Sequence, residues 1–248
     1  SLPLCVWTLL FLSLGLQQKN RKFFALAGLM TGFLPQLQVH SYVAIAQYAI
    51  GLCMITFPFK SKNKWREYIE LWATYAIIAN IIAFPQLLPY LSRVNVNKKA
   101  FVNYNPIWNV HEKRNCTFPP IVLWWRGLGV FAAISLLCGW LVLDKWQITL
   151  YLPAIFVFII TNLIRYQPWE LDNTKLFYAV WVPIALAVVS KYLVYLIMAP
   201  KKKLGKFIGC WVVLVFVVAM GLSAFMSTVQ SMFWPTQFFS RDDYRFGL

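Results

Sequence analysis

Apolar residues in this chain come in long unbroken runs, neither at every second position nor as one stripe at every third or fourth. Runs of that kind, separated by polar breaks, predict helices that cross a membrane. Eight stand out: 2–16, 23–39, 42–57, 68–91, 121–143, 148–164, 176–198 and 207–230. A helix needs about 20 residues at about 1.5 Å each to cross roughly 30 Å of hydrocarbon. The last five runs meet that length, with 148–164 at the short end; 23–39 and 42–57 are short, and Pro35 interrupts the first of these. The expected fold is therefore all-α, a polytopic transmembrane helical bundle of about seven or eight spans, with one span broken near Pro35. It would occupy residues 1–230, with a polar tail over 231–248. An alternative treats 23–57 as two half-spans that enter and leave on one side, which leaves the downstream assignment unchanged. Short alternating segments, the mark of a membrane β-barrel, are not seen.

Composition agrees. The chain is 60% hydrophobic and 12% charged, against about 25% charged in soluble domains. Ser1 opens the chain inside an apolar run, with no initiator methionine and no recognisable signal peptide. The expectation is the C-terminal part of a longer protein.

The net charge of +15 would suggest nucleic acid in a soluble protein. Here the basic residues sit mostly in short loops between spans, where membrane orientation and anionic headgroups account for them. No nucleic-acid partner is expected. If every run spans, loops 19–22, 60–66, 144–146 and 200–206 share one side and carry twelve basic residues. The positive-inside rule makes that side cytoplasmic. The opposite, lumenal side receives His40 and Ser41, the long loop 92–120, the loop 165–175 and the tail. Asn115 lies in an Asn-Cys-Thr sequon in the long loop, a candidate glycosylation acceptor close to the next span.

Two polar breaks carry the candidate chemistry, and both fall toward the lumenal face. The first is Arg165-Tyr166-Gln167-Pro168-Trp169-Glu170-Leu171-Asp172-Asn173-Thr174-Lys175. Pro168 disfavours helix at Gln167, so the preceding helix should end near Arg165. Asp172 or Asn173 is placed to cap the next helix. Arg165 and Lys175 supply cations suited to phosphate, Arg165 with bidentate geometry. Gln167 and Asn173 add amide groups. Glu170 and Asp172 are candidates to hold a divalent cation, to order Arg165 or to act as a base, and Trp169 to stack on a sugar or to sit in the interfacial aromatic belt. The plainer alternative is a capped turn with an internal Arg–Asp pair.

The second break is Pro35-Gln36-Leu37-Gln38-Val39-His40-Ser41. Polar groups within a span default to functional candidates. His40 suits phosphate donation or acid–base work near neutral pH, and Gln36 and Gln38 suit a polar ligand. The structural alternative is that these side chains satisfy backbone left open by Pro35.

Other features are quieter. His111-Glu112-Lys113-Arg114 lacks the second histidine of a zinc-protease motif, and the five cysteines show no CxxC spacing. Lys191 lies within run 176–198 about two turns from its basic end, where a lysine snorkels. Lys201, Lys202, Lys203 and Lys206 form a juxtamembrane basic patch.

The broken span ending in His40-Ser41, together with the loop Arg165-x-Gln167-Pro168-Trp169-Glu170-x-Asp172-Asn173-x-Lys175, resembles a family of poorly characterised multi-pass membrane proteins. That family is similar in layout to the GT-C glycosyltransferases, which use lipid-phosphate sugars. The resemblance covers most of the chain in hydropathy and these two stretches in identity. It implies an endoplasmic-reticulum membrane protein that binds a polyprenyl-phosphate sugar or a phospholipid at its lumenal face. Arg165 and Lys175 would hold phosphate, Glu170, Asp172 and His40 would be candidate catalytic groups, and a divalent cation is a candidate cofactor. In GT-C enzymes the catalytic acid usually lies in the first lumenal loop, near the N-terminus, which this chain would lack. The alternative is therefore a non-catalytic lipid-handling or scaffold subunit, with membrane lipids and other membrane subunits as partners. A transporter fits less well, because no matched pair of broken segments appears.

Overall fold

The computed structural model describes residues 1–93, 102–104, 131–166, 173–200 and 204–218. These are mostly helical. Among the described residues four helices are long and apolar enough to cross a membrane, and three shorter apolar ones accompany them. The protein is an integral membrane protein.

The chain divides into two units, Ser1–Lys191 and Tyr192–Leu248. In the first, α1 (Leu2–Gln18) turns through Lys19, which adopts a left-handed backbone (φ 49°), into α2 (Arg21–Gly32). Asn20 caps α2 by accepting from the Lys22 N–H at 2.9 Å. Then follow a single turn, α3 (Leu34–Leu37), and α4 (Val39–Thr56). A short 3-10 turn leads into α5 (Trp65–Arg93). Its 29 residues extend about 43 Å at about 1.5 Å each, longer than the bilayer core is thick.

Residues 131–166 supply α6 (Phe131–Leu141), which contains a π-helical turn over Ile134–Cys138, then α7 (Lys145–Leu163). Asp144 and Gln147 form a reciprocal cap at the start of α7: the Gln147 N–H donates to Asp144 at 2.9 Å, and the Asp144 N–H donates to Gln147 at 3.2 Å. After α7 the chain becomes extended, and β2 (Ile164–Arg165) pairs antiparallel with β1 (Asn103–Tyr104). Among the described residues the all-α expectation thus holds apart from this two-residue ladder between Asn103–Tyr104 and Ile164–Arg165.

The run 176–198, expected as one span, is two helices: α8 (Thr174–Ala179) and α9 (Trp181–Met198). Pro183 explains the break. It has no N–H for the Ala179 carbonyl, and its ring crowds that turn. Regular pairing resumes when the Ile184 N–H reaches the Val180 carbonyl. The second unit holds the end of α9 and α10 (Leu204–Val218).

Packing follows from small residues and aromatic anchors. Gly28 and Gly32 lie one turn apart on α2 and face α5. A Cβ on Gly28 would come within 2.7 Å of the Tyr75 carbonyl, and one on Gly32 within 2.7 Å of the Ile82 Cβ. This small-xxx-small spacing lets the two backbones approach, the usual means of association where lipid removes the hydrophobic drive. Gln86 of α5 stitches the same interface, donating to the Gly32 carbonyl at 3.0 Å and to the Ile82 carbonyl at 2.7 Å. Around α4 the core is built on Ile45, Tyr48, Tyr151, Val157 and Trp181, all buried. Tyr48 donates to the Leu150 carbonyl at 3.0 Å, and Tyr151 to the Ser135 carbonyl within the π-turn at 2.8 Å.

Candidate functional site

The broken span is present: α2 ends at Gly32, just before Pro35, and a second break follows at Gln38. Pro35 opens α3, where a missing N–H costs nothing. Gln38 is extended (φ −167°, ψ 108°), and α4 begins after it. The Gln38 side-chain oxygen accepts from the Ser41 hydroxyl at 3.1 Å and from the Ser1 hydroxyl at 2.7 Å. With that oxygen engaged, its amide nitrogen has no partner among the described residues and remains a donor.

The polar loop after α7 is organised by Asn173, whose side chain is fully buried at 0% exposure. Its oxygen accepts from the Tyr166 N–H at 3.1 Å, and its amide nitrogen donates to the carbonyls of Thr161 at 2.9 Å and Ile164 at 3.0 Å. Thr161 is in the last turn of α7 and Ile164 is its C-cap residue, where helix carbonyls need partners from outside the helix. The expected capping by Asn173 is corrected here: it stands at the N-cap of α8 but makes no side-chain cap. It closes the helix before it, not the one after it. Both amide N–H bonds are used, so Asn173 shapes the loop rather than donating to a ligand.

A second clamp comes from α4. Gln47 donates to the Tyr166 hydroxyl at 2.5 Å across 119 residues of sequence. Burial raises the Tyr166 phenol above its ordinary pKa, opposed by that hydrogen bond. The other Gln47 polar atom, Oε1, is buried without a partner among the described residues.

These elements bring part of the expected site together. Gln38 and Ser41 from the start of α4 and Lys175, Tyr178 and Ala179 from α8 line one small cleft of about 80 Å³, closed off by Ser1 and Leu2. Ser41 is buried, and Lys175 and Gln38 are half-buried. Gln36 is exposed on α3, and His40 is half-buried as the second residue of α4. Neither lines the cleft, nor does Arg165, which is held in the β-ladder opposite Asn103. Gln167, Trp169, Glu170, Asp172 and the sequon at Asn115 lie outside the described residues, as does the tail 231–248. Among the described residues, no three His, Cys, Asp or Glu side chains gather into a metal site.

Sequence reasoning passed over Gln47 and Tyr166. Tyr166 stands inside the polar loop and Gln47 inside an apolar run, and an amide in such a run is itself a signal. Lys19, Lys64, Glu67 and Trp146, from three of the short polar loops and the start of α5, line a common cleft, with Lys19 and Glu67 3.8 Å apart.

Comparison of the chain with protein families, with curated proteins and with solved structures finds no match to any of them.

Proposed function

We propose that this protein binds a phosphate-headed lipid, a polyprenyl-phosphate sugar in particular, where the break at Gln38 meets the loop ending at Lys175. The observation that carries the reading is the shared cleft itself: two polar breaks more than a hundred residues apart in sequence line one space at the same end of the helices. At about 80 Å³ it has roughly two to three times the volume of a water molecule, taken at about 30 Å³ each. That is room for a group of phosphate size. Lys175 supplies the full charge, and the Gln38 amide nitrogen a neutral donor. Tyr166 is held by Gln47 and Asn173.

In this reading the chain is a GT-C-like protein of seven or eight spans in the endoplasmic-reticulum membrane, with the cleft lumenal and the short basic loops cytoplasmic. Glu170, Asp172 and His40 would then be the candidate catalytic groups, and Trp169 would stack on the sugar. The lipid-handling subunit shares the cleft and lacks the transfer step.

The test is binding of a polyprenyl phosphate and of the matching polyprenol to the full chain in nanodiscs, read by native mass spectrometry. The phosphate form should bind preferentially, and Lys175→Met should weaken it about tenfold or more, as expected for a hydrogen-bonded charge. Equal binding of phosphate and alcohol would overturn the proposal. Release of polyprenyl phosphate from the sugar-linked lipid in the presence of acceptor would separate transfer from lipid handling.

A further inference from the structure

A second cavity lies in the first unit, lined by residues that the Gln38–Lys175 cleft does not use. An apolar groove of about 310 Å³ runs between α1, α4, α7 and α9, at the lower end of the roughly 300–1,000 Å³ common for small-molecule sites. Three of these helices contribute a stripe at helical spacing, such as Val6 and Leu10 from α1, Gln147 and Leu150 from α7, and Ile184, Ala187 and Val188 from α9, while α4 contributes Tyr48 alone. The α9 stripe ends in Lys191, seven residues after Ile184, and the α7 stripe begins with Gln147.

Lys191 donates to the Gln147 side-chain oxygen. That oxygen also accepts the Asp144 N–H of the α7 cap. No carboxylate lies within ion-pair distance of Lys191 among the described residues, where the two ion pairs are Lys19–Glu67 and Arg66–Glu70. A cation in a membrane helix normally finds an anionic partner or a water-filled cavity. This one has a neutral amide, at the end of a groove that is otherwise apolar. The Gln147 amide nitrogen has no partner among the described residues and stands beside it as a second donor. A snorkelling lysine needs only an aqueous end. A lysine and an amide gathered at the mouth of an apolar groove match a molecule with an anionic head and a hydrocarbon tail.

We infer that this groove binds one acyl chain of an anionic phospholipid from the surrounding bilayer, with the headgroup anchored by Lys191 and Gln147. Basic pockets between transmembrane helices select anionic headgroups by this chemistry. The Lys191–Gln147 contact would then hold the lysine in place for the lipid.

The experiment uses the full chain in nanodiscs of mixed phosphatidylserine and phosphatidylcholine with identical chains, with retained lipid counted by native mass spectrometry. Wild type should retain phosphatidylserine preferentially. Lys191→Met should reduce that preference about fivefold, Lys191→Arg should keep it, and Ala187→Phe should expel both lipids by filling the groove. Lys60→Met, at an exposed lysine outside the groove, should leave the preference unchanged. Equal effects of Lys191→Met and Lys60→Met, or no effect of Lys191→Met, would overturn the inference. A measurement that needs no variant uses phosphatidylserine carrying a photoactivatable acyl chain on the wild-type protein. Adducts should concentrate on Leu143, Leu150 and Ile184, and adducts spread evenly over exposed helix faces such as Ile77 and Ile81 would also overturn it.

Discussion

Replacing Asn173 with alanine should loosen the loop after α7 far more than an ordinary loop substitution would. The side chain makes three hydrogen bonds, at 3.1, 2.9 and 3.0 Å, and is wholly buried. Each bond contributes about 1 kcal/mol net, and leaving a buried acceptor or donor without a partner costs about 1–3 kcal/mol. The Thr161 and Ile164 carbonyls and the Tyr166 N–H would all lose the bonds that Asn173 makes to them, some of them replaceable by water. The expected loss is roughly 2–4 kcal/mol, or about 5–15 °C in the thermal midpoint for a chain of this size. Asn173→Asp should be no milder: it keeps an acceptor for Tyr166 but sets a carboxylate against two carbonyls. Thermal unfolding in nanodiscs reads the size of the effect. Hydrogen exchange at Ile164, Arg165 and Tyr166 reads its place, and these amides should exchange faster while those of α5 do not. A midpoint within about 1 °C of wild type, well below the range expected for lost buried hydrogen bonds, would refute the reasoning. Loss of lipid binding alongside that unchanged stability would make Asn173 a ligand contact.

Three further outcomes follow from the packing and electrostatics. Gly28→Ala places a methyl within 2.7 Å of the Tyr75 carbonyl, so α2 and α5 must separate at a cost of roughly 1–3 kcal/mol, measurable by thermal unfolding. Lys19→Gly removes the left-handed strain at φ 49° and should stabilise by about 1 kcal/mol, while the Lys19–Glu67 pair it breaks is half-exposed and contributes little. Burial raises the Tyr166 phenol, so the fold favours its neutral form. That contribution is present below the ordinary tyrosine pKa and fades as pH climbs through the folded value. Tyr166→Phe should therefore lose less of its thermal midpoint than wild type on the alkaline side, and parallel pH profiles would contradict this.

Hydropathy alone was enough to read the helical membrane fold, because a long apolar run has few other stable forms. The Pro35–Ser41 break was equally plain, since proline and two glutamines in one apolar run leave a clear mark. The split of 176–198 was missed although Pro183 marked it. A proline near a helix start is well tolerated, and only the structure shows the helix ending before it. Gly28 and Gly32 stood at a recognisable spacing, but nothing in the sequence says which helix they face. The pairing of Asn103–Tyr104 with Ile164–Arg165 had no signal at all, because a two-residue ladder is too short to show a period. In the sequence the candidate site shows as two polar breaks. Which residues share a cleft depended on helix rotation, and that set Gln38, Ser41 and Lys175 together while leaving His40 and Gln36 outside it.

The most direct measurement is a cryo-EM map of the full chain in nanodiscs containing a polyprenyl phosphate. The account predicts compact headgroup density bounded by Gln38, Ser41 and Lys175, with hydrocarbon density leading away from it. A cleft filled by protein side chains, with the added lipid lying elsewhere, would contradict it.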